Sequence, residues 1–434
     1  MFSKLLVANR GEIAVRIIRA CKEMGIISVA VYSEADAGAL HTTLADESYC
    51  IGRAPAAESY LNADSIIGAA LASGAQAIHL GYGFLSENAR FAERCRENGL
   101  VFIGPSVENM RALGDKEQVK ARMEQAGLPV IPGTGILGTL PEAAEAAEKI
   151  GCPVMLKARA GGGGRGIRLV KDGTELEKAY LSAAAEGMAA FGDGAVYLEK
   201  YISPAKHIEL QILADQYGHV VCLGERDCSL QQRNQKLIEE SPSPAVTEAL
   251  RRRMTEQAVE AVKQLGYSGV GTLEFLLDRA GNYYFMEMNV RLQVEHAVTE
   301  CLTGIDLVKW QIRVSAGIPL NFSQQDVSLK GSSIECRINA LAPGTVEFLH
   351  VPGGPFVRFD SFLFTGAYVP PQYDSLIGKL IVLAGTREEA IRKMKAALCE
   401  LVIEGVPNNT KEQIDRIGSD AFLRGDYLLG LIGT

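Results

Sequence analysis

Two acidic residues occupy positions where a β-hairpin would bring them face to face. The segment VGTLEFLLDRAGNYYFMEMNVRLQVEH, residues 270–296, places two β-like runs on either side of the turn DRAGN. If Asp278 pairs with Tyr283, the antiparallel register opposes three pairs on one face, namely Glu274 with Glu287, Leu276 with Phe285, and Thr272 with Asn289. Like charges directly opposed destabilise a sheet unless something lies between them, and the apolar pair on the same face argues against a solvated surface. Two carboxylates and an amide oxygen are ligands that Mg²⁺ or Mn²⁺ prefers, so Glu274, Glu287 and Asn289 predict a divalent metal site.

A row of polar residues continues the same alternation beyond the hairpin. Arg291, Gln293 and Glu295 alternate with apolar residues between positions 290 and 294. An extended chain would place the three polar side chains on one face. A cation, an amide and a carboxylate offer charge, orientation and a general base to a small anion. We therefore expect an anion pocket beside the metal site.

A run of four glycines interrupts the segment MLKARAGGGGRGIRLV, residues 155–170. Gly161, Gly163 and Gly166 match G-x-G-x-x-G, but a dinucleotide-binding fingerprint requires a helix directly after the loop, whereas GIRLV has the alternation of a strand. The pattern instead predicts a β-hairpin with a glycine-rich tip that can close its N–H groups over phosphates, with Lys157 on the entering strand. Taken alone, the segment is more typical of a mobile hairpin without function.

Three further features are ambiguous when each is taken alone. Lys236, in RDCSLQQRNQKLIEESPSP, offers a positive charge to an anionic ligand, but the segment by itself is typical of a surface loop. His79 and His296 have apolar neighbours, which is more typical of structural histidines than of ligands. The segment RKMKAALCE near residue 395 predicts an amphipathic helix.

These residues require elements that hold them, and the periodicity of the chain predicts which. KLLVANRGEIAVRIIRACKEMGIISVAVYSEAD has the strand, helix and strand of a βαβ unit, and AQAIHL and LVFIGP continue as strands to about residue 105. The first domain should therefore be a doubly wound parallel sheet. After residue 320, SSIECRIN, PFVRFDSF and GKLIVLAG are predicted strands.

Composition excludes several classes of protein. The 434 residues carry a formal net charge of −8, which disfavours a nucleic-acid or anionic-membrane surface. The sequence contains neither an apolar stretch that would span a bilayer nor the plan of a signal peptide. The 9 cysteines lack CxxC pairs, so disulfides and zinc are not expected, and we expect a cytoplasmic location.

Nearly the whole chain resembles the biotin carboxylase family of ATP-grasp enzymes. The motifs that carry the resemblance run along the chain in the order LLVANRGEIAVRIIRACKEMGI, GYGFLSENARFAE, GDK, GGGGRGIR, HIELQILAD, ERDCSLQQRNQK, EMNVRLQVEH, ECRINA and YDSLIGKLI. The resemblance implies an α/β and α+β protein in three parts: a Rossmann-like N-terminal domain over residues 1–113, an ATP-grasp domain over 114–320 with a mobile lid at about 130–202, and a mixed α+β C-terminal domain over 331–434. It also implies an ATP-dependent ligase that carboxylates biotin with bicarbonate.

Positions of the family's nucleotide site can be carried over residue by residue. Lys116 and Lys157 resemble the lysines that hold the ATP phosphates, and Gly162, Gly163 and Gly164 belong to the flap that would close above them. The remaining positions are similar to those that meet the adenine or other parts of the nucleotide: Glu199, Lys200, Ile202, His207, Gln231 and Asn234. The metal ligands implied by the resemblance are the same three as those inferred from the hairpin, Glu274, Glu287 and Asn289.

The family's bicarbonate and biotin sites have counterparts as well. Lys236, Arg291, Gln293 and Val294 resemble bicarbonate contacts, and Glu295 resembles the base that deprotonates bicarbonate for attack on the γ-phosphate. By the same resemblance Arg337 stabilises the biotin enolate and Tyr82 contacts biotin. The catalytic set implied is Glu295, Arg337, Arg291 and Lys236. A separate biotin carboxyl carrier protein and carboxyltransferase subunits are the expected partners, and a homodimer is the expected assembly.

The sequence departs from the family pattern at several places. Asn234 replaces a usual histidine, the loop after Ala340 is several residues shorter, Leu80 replaces a proline, and Arg159 with Ala160 replaces a smaller pair at the start of the flap. The favoured interpretation is the biotin carboxylase subunit of an acyl-CoA carboxylase, most simply acetyl-CoA carboxylase. The alternatives are a catalytically weakened paralogue with a binding or regulatory role, and another ATP-grasp ligase.

Overall fold

The N-terminal part forms the predicted doubly wound sheet. This computed structural model describes residues 1–114, 116–159, 166–233 and 235–430. The elements are, in chain order, β1 (Lys4–Val7), α1 (Gly11–Glu23), β2 (Ile27–Ser33), α2 (Leu40–Leu44), β3 (Glu47–Gly52), α3 (Ala63–Ser73), β4 (Ala77–His79), α4 (Ala89–Glu97), β5 (Val101–Ile103) and α5 (Val107–Gly114). All strands are parallel in the order β3-β2-β1-β4-β5. Leu5 and Leu6 enter different apolar clusters, so both faces of the sheet are covered.

A small antiparallel sheet carries the glycine-rich hairpin. Its elements follow in the order α6 (Lys116–Gln125), α7 (Leu140–Ile150), β6 (Val154–Ala158), β7 (Ile167–Val170), α8 (Leu176–Phe191) and β8 (Val196–Lys200). β6 lies between β7 and β8, and Lys157 pairs with Ile167 and Tyr197. The expected hairpin is therefore confirmed. The sheet has an apolar core of its own, built from residues between Leu137 and Leu198.

Eight of the twelve strands that remain in the described part of the chain form one large antiparallel sheet, and the other four form two separate pairs. The elements are β9 (Ala205–Ala214), β10 (Val220–Gln232), β11 (Gln235–Ser241), α9 (Glu248–Gln264), β12 (Gly269–Asp278), β13 (Tyr283–Asn289), α10 (His296–Thr303), α11 (Leu307–Ser315), β14 (Ser332–Asn339), β15 (Gly344–Thr345), β16 (Phe348–His350), β17 (Val357–Ser361), β18 (Tyr368–Val369), β19 (Leu376–Ala384), α12 (Arg387–Glu400), β20 (Val402–Glu404), α13 (Thr410–Ile417) and α14 (Asp420–Arg424). Eight strands pair in the order β13-β12-β9-β10-β11-β14-β19-β17.

This sheet crosses from the central part into the C-terminal part at the pairing of β11 with β14. The three predicted C-terminal strands are confirmed as β14, β17 and β19, and they continue the central sheet rather than starting another. On β14, Ile334, Cys336 and Ile338 enter the apolar core of the C-terminal part. Glu335 and Arg337 therefore face the opposite side of the sheet, against which α10 packs. The fold class predicted from the sequence is confirmed.

The acidic hairpin has the predicted register at one end only. Thr272 opposes Asn289 and Glu274 opposes Glu287, as expected. Beyond that point Phe275 opposes Phe285, which leaves Met286 as the extra residue of a β-bulge. The expected pairs of Leu276 with Phe285 and Asp278 with Tyr283 are therefore wrong.

The cause of the bulge is tertiary. Phe285 bridges to Val130 and packs edge-on against Phe275 in the main core, with ring centroids 6.0 Å apart. Leu276 belongs to a small cluster with Ile131 and Ala205. Leu276 lines the same cavity as Glu274 and Glu287 and so shares the face of the acids, as expected. Phe285 lies in the main core on the other face, so that part of the expectation is wrong.

Candidate active site

Most of the residues singled out in the sequence line one cavity of about 930 Å³. The cavity lies between the small sheet of β6 and β8 and the large sheet from β9 to β14, and it is closed by residues of the N-terminal part. The predicted residues that line it are Tyr82, Lys157, Glu199, Lys200, Ile202, His207, Gln231, Lys236, Glu274, Glu287, Asn289, Arg291, Gln293, Val294 and Arg337. A second cavity of about 420 Å³ shares Lys157, Glu199 and Glu287 with it.

Several predicted residues fall outside what the structure describes. Gly162, Gly163, Gly164 and Asn234 lie outside the described residues, and the side chain of Lys116 is likewise not described. Their roles stay predictions. Lys157 lies on β6, immediately before the glycine run, and it lines both cavities.

The ammonium groups of two lysines contact the same carboxylate, that of Glu199 on the small sheet. Lys157 Nζ lies 2.6 Å from Oε2 of Glu199, and Lys120 Nζ lies 3.0 Å from its Oε1. Burial alone would raise the pKa of Glu199, but the two lysines outweigh burial and lower that pKa below its ordinary value. An anionic ligand would therefore compete with Glu199 for both cations. Sequence reasoning missed Lys120, whose position in α6 gives no local signal.

Glu274 is the acceptor of a buried hydrogen-bond network. Its Oε2 lies 2.9 Å from Nε2 of His207. Its Oε1 accepts hydrogen bonds at 2.8 to 3.1 Å from Asn289 Nδ2, Gln293 Nε2 and Lys236 Nζ. Burial would raise the pKa of Glu274, but Lys236 and His207 outweigh it and lower that pKa. Glu274 is therefore ionised, as a metal ligand must be.

The donor set fits a hard divalent cation. Glu274 and Glu287 oppose each other in register, and Asn289 lies on the same strand two residues beyond Glu287. Carboxylate and amide oxygens are what Mg²⁺ takes from protein, leaving positions for water and phosphate oxygens. Met286, displaced by the bulge, lines both cavities beside these ligands. Sequence reasoning missed Met286 because the bulge has no sequence signature here.

Glu295 is held by two cations that line the cavity, although Glu295 is not itself among the lining residues. It has no exposed surface. Lys236 Nζ lies 2.7 Å from its Oε1, and Arg337 Nη2 lies 2.9 Å from its Oε2. Burial would raise the pKa of Glu295, but Lys236, Arg337 and Arg226 hold that pKa well below its ordinary value. The carboxylate is thus ionised and is a weak proton acceptor while both cations contact it.

Lys236 joins three carboxylates that lie far apart in the sequence. Besides Glu295, its ammonium contacts Glu209 at 2.6 Å and Glu274 at 3.1 Å. Burial would lower the pKa of Lys236, but the three carboxylates raise it well above its ordinary value. The segment was ambiguous in the sequence, yet Lys236 lies on β11 and reaches the centre of the site. Glu209, which also contacts Arg226, was missed.

The polar row beyond the hairpin is not an extended strand. β13 ends at Asn289, and the chain then turns so that Glu295 occupies the N-cap position of α10, without a hydrogen bond from the helix to its side chain. The expectation of continued strand alternation is wrong, because α10 must pack over β14 and its N-terminus lies at the cavity. Arg291 and Gln293 nevertheless meet, with Arg291 Nη1 2.9 Å from Gln293 Oε1. Arg291 also contacts Glu87 at 3.1 Å.

Three residues discussed in the sequence analysis remain to be placed: Tyr82, His79 and His296. The Tyr82 hydroxyl donates to Glu12, and burial raises the pKa of Tyr82 well above its ordinary value. His79 and His296 are fully buried, and burial lowers the pKa of each to about 3, so both are neutral. His79 accepts the Gly81 N–H, and His296 Nδ1 bonds to the Gln293 carbonyl. Both histidines are structural, in keeping with the sequence interpretation.

Models of protein families match almost the entire chain. The N-terminal domain of biotin carboxylase matches residues 1–110, and the biotin carboxylase C-terminal domain matches residues 335–434. Residues 115–323 match the ATP-binding domain of the carbamoyl-phosphate synthase L chain. Fold and site therefore define an ATP-grasp ligase.

Curated relatives and solved structures show to which family of ATP-grasp ligases the chain belongs. The biotin carboxylase of Nostoc sp. is 53% identical over 434 residues, which cover 98% of this chain and 97% of that protein. A biotin carboxylase from Campylobacter jejuni superposes with a TM-score of 0.96 at 49% identity, over 99% of this chain and 98% of that one. The biotin carboxylase domain of a 2-oxoglutarate carboxylase from Hydrogenobacter thermophilus gives 0.94 at 49% identity, over 99% and 96%. The chain belongs to the biotin carboxylase family and is an ATP-dependent carboxylase.

Among the described residues, none of the helices is both long and apolar enough to cross a bilayer. All 9 cysteines are free thiols.

Proposed function

We propose that this chain activates bicarbonate with ATP and carboxylates biotin on a separate carrier protein. The observation that carries the proposal is Glu295, a fully buried carboxylate held by Lys236 and Arg337. These two cations line the cavity, together with the residues proposed to bind phosphate and metal. In this proposal Glu295 takes the proton of bicarbonate. A bicarbonate oxygen then forms a bond to the γ-phosphorus, and the bond from that phosphorus to ADP breaks. The product is carboxyphosphate.

Glu295 becomes a competent base when bicarbonate enters. A general base works best when its pKa lies near the working pH, and the two cations hold that of Glu295 far lower. Bicarbonate beside Arg291 and Gln293, with Val294 at its edge, would draw Lys236 and Arg337 toward its own negative charge. Each cation that moves from Glu295 to the substrate raises the basicity of Glu295. The two ion pairs thus keep Glu295 weakly basic until bicarbonate binds.

The nucleotide would occupy the part of the cavity under the small sheet. Lys157, Lys116 and the flap of Gly162, Gly163 and Gly164 would hold the phosphates, while Glu199, Lys200, Ile202, His207, Gln231 and Asn234 would surround the rest of the nucleotide. Glu274, Glu287 and Asn289 would hold Mg²⁺, or Mn²⁺ in its place, which neutralises phosphate charge when bound.

Biotin would be carboxylated beside Arg337 and Tyr82. Carboxyphosphate breaks down to CO₂ and phosphate, and the phosphate removes the ureido proton of biotin. Arg337 then stabilises the enolate oxygen, which is an electrostatic contribution of the kind that is large in enzymes. The nitrogen of the enolate attacks CO₂, giving carboxybiotin. Arg337 is suited to this role because it lines the cavity and its guanidinium is permanently charged.

We propose acetyl-CoA as the acceptor served by the complete complex, with a biotin carboxyl carrier protein and carboxyltransferase subunits as partners, in the cytoplasm. The sequence resemblance to stand-alone biotin carboxylases supports this choice. A biotin carboxylase subunit of pyruvate carboxylase is also 50% identical, over 99% of this chain and 97% of that one, so the acceptor must be tested with the transferase present. A homodimer is proposed by analogy with the Hydrogenobacter thermophilus domain dimer.

Phosphate release from ATP tests the proposal, with Mg²⁺ and bicarbonate present and with or without free biotin. Turnover should require bicarbonate and rise with biotin. An inert protein that still binds ATP would favour the weakened paralogue. Turnover that ignores bicarbonate and responds to another acid would favour a different ATP-grasp ligase. Reconstitution with carrier and transferase subunits, with acetyl-CoA and pyruvate offered in parallel, tests the acceptor.

A further inference from the structure

Two buried glutamates face each other on neighbouring strands behind the proposed base. Glu239 on β11 and Glu335 on β14 are direct partners in the antiparallel register. Neither has any exposed surface. Side chains directly opposed in this way have Cβ atoms about 4.5–5.5 Å apart. The reaction proposed above assigns no role to Glu335.

The pair leaves three oxygens without partners. Oε1 of Glu239 accepts a hydrogen bond from Nε of Arg337 at 2.7 Å and lies 2.6 Å from Nη2 of the same guanidinium. Among the described residues, nothing donates to Oε2 of Glu239 or to either carboxyl oxygen of Glu335. A buried polar atom without a partner is costly, and a buried unpaired charge is far more so. If Glu335 were a carboxylate, it would be a buried charge without a partner, and both of its oxygens would be buried polar atoms without a partner.

The cations around the pair are already matched by other acids. Arg337 on β14, Lys379 on β19 and Lys236 on β11 are the basic groups that act on it. Arg337 contacts Glu295 as well as Glu239. Lys379 contacts Glu12 and donates to the Val294 carbonyl. Lys236 contacts Glu209, Glu274 and Glu295. Glu295 from the turn before α10, Asp360 from β17 and Cys301 from α10 also face this group of charges. Within the part of the chain that the structure describes, no cation is left to Glu335 alone.

We propose that Glu335 is a neutral carboxylic acid whose hydroxyl donates a hydrogen bond to Oε2 of Glu239, and that it thereby acts as a positioning residue for Arg337. One proton gives both Oε2 of Glu239 and the hydroxyl oxygen of Glu335 a partner. Burial raises the pKa of both carboxyls, and the negative charge of Glu239 raises that of Glu335 further. Two opposed carboxyls that cannot both ionise share a proton in the same way in aspartic proteases.

The shared proton sets how strongly Glu239 holds Arg337. With the proton present, Glu239 has one oxygen on Glu335 and the other on Arg337, so the pair carries a single negative charge. When base removes the proton, the O–H bond breaks, the proton goes to solvent, and a second negative charge remains beside Arg337. The guanidinium is then drawn toward the pair and away from the cavity. Carboxylation should therefore slow at alkaline pH, a step that rests on the proposed role of Arg337.

Two substitutions separate positioning from packing. Glu335→Gln keeps the shape and a donor but has no proton to lose, whereas Glu335→Leu has no donor. For biotin-dependent phosphate release, we expect the alkaline limb of the kcat profile to move up by at least about one pH unit in Glu335→Gln. Glu335→Leu should lower kcat about tenfold or more across the profile, with KM for ATP unchanged in both variants. An alkaline limb that stays in place in Glu335→Gln overturns the positioning role.

Infrared spectroscopy of the full-length protein tests the proton without any need for activity. A protonated carboxyl gives a carbonyl stretching band that shifts in D₂O, and we expect such a band near neutral pH in the wild type and its loss in Glu335→Gln. Absence of the band in the wild type, or its persistence in Glu335→Gln, overturns the assignment. A protein that shows the band but carboxylates no biotin would refute the proposed function and leave the protonated pair standing.

Discussion

Removal of the Lys236 ammonium should destabilise the protein in a manner that depends on pH. Lys236→Met leaves Glu209, Glu274 and Glu295 without their shared cation. At 2.7 Å and an effective dielectric constant of about 20, one such contact amounts to about 6 kcal/mol of Coulomb energy. Much of that energy offsets the cost of burying the charges, and loss of one partner of a buried pair costs a net of about 3–5 kcal/mol.

The loss of stability can be measured as a fall in the melting temperature. The entropy of unfolding for 434 residues is about 0.9 kcal/mol per kelvin, so the loss corresponds to about 3–5 °C near pH 8. Without Lys236 the buried carboxyls take up protons in the folded state, so their folded pKa values rise above the unfolded ones. Such groups stabilise the fold at low pH and lose that contribution as pH rises, by up to about 1.4 kcal/mol per pH unit for each proton. The deficit should therefore shrink by about 3 °C between about pH 8 and about pH 6.

Lys206→Met is the matched control. Lys206 is also buried, but it contacts a single carboxylate, Asp227, which keeps hydrogen bonds from the Ser229 and Ser243 hydroxyls. This variant should lose stability with a weaker dependence on pH. If Lys236→Met melts within about 1 °C of the wild type near pH 8, or shows the same deficit at both pH values, the three carboxylates do not depend on Lys236 and the reasoning fails.

Three further outcomes can be measured on single variants. Glu295→Gln should lower bicarbonate-dependent phosphate release by roughly 10²- to 10⁴-fold while ATP binding, followed by calorimetry, is retained, because an amide cannot take the proton; unchanged turnover would remove Glu295 as the base. Glu287→Gln should raise the Mg²⁺ concentration needed for half-maximal activity with little loss of folding, since it relieves the like-charge pair. Glu274→Gln should raise that concentration too, but with a loss of stability, because it also removes a charged partner of Lys236; if neither variant changes the Mg²⁺ requirement, the metal site lies elsewhere. Glu300→Gln concerns acid stability: burial would raise the pKa of Glu300, but Arg16 and Arg358 lower it, so its stabilisation is present above the unfolded pKa of about 4.3 and is lost as pH falls. The variant should melt below the wild type near pH 7, and the gap should narrow steadily as pH falls below about 4.3. A gap that is as wide at acid pH as at pH 7 would contradict this account.

Local patterns in the sequence determined the elements that are built from neighbouring residues. The βαβ unit, the glycine-tipped hairpin and the opposition of Glu274 with Glu287 all follow from alternation and turn residues over a few tens of positions. The hairpin register also gave the chemical argument for a metal, because directly opposed like charges destabilise a sheet unless something relieves their repulsion. The resemblance then extended these local inferences to most of the residues that line the cavity.

Tertiary packing decided the rest. The bulge at Met286 arises because Phe285 packs against Phe275 and bridges to Val130, contacts that no alternation over the hairpin could indicate. Lys236 could be placed at the centre of the site only when β9, β11, β12 and the start of α10 were assembled, since its acidic partners come from three separate segments.

The opposed pair of Glu239 and Glu335 was likewise decided by tertiary packing. It depends on the pairing of β11 with β14, two strands about a hundred residues apart. Register between distant strands is set by which faces the assembled sheet buries, and a shift of one residue would turn Glu335 into the apolar core. Burial, which raises the pKa of these two carboxyls, is likewise a property of the assembled protein. The sequence therefore determined which chemical groups are available, and the packing of distant segments decided which of them meet and in what ionisation state.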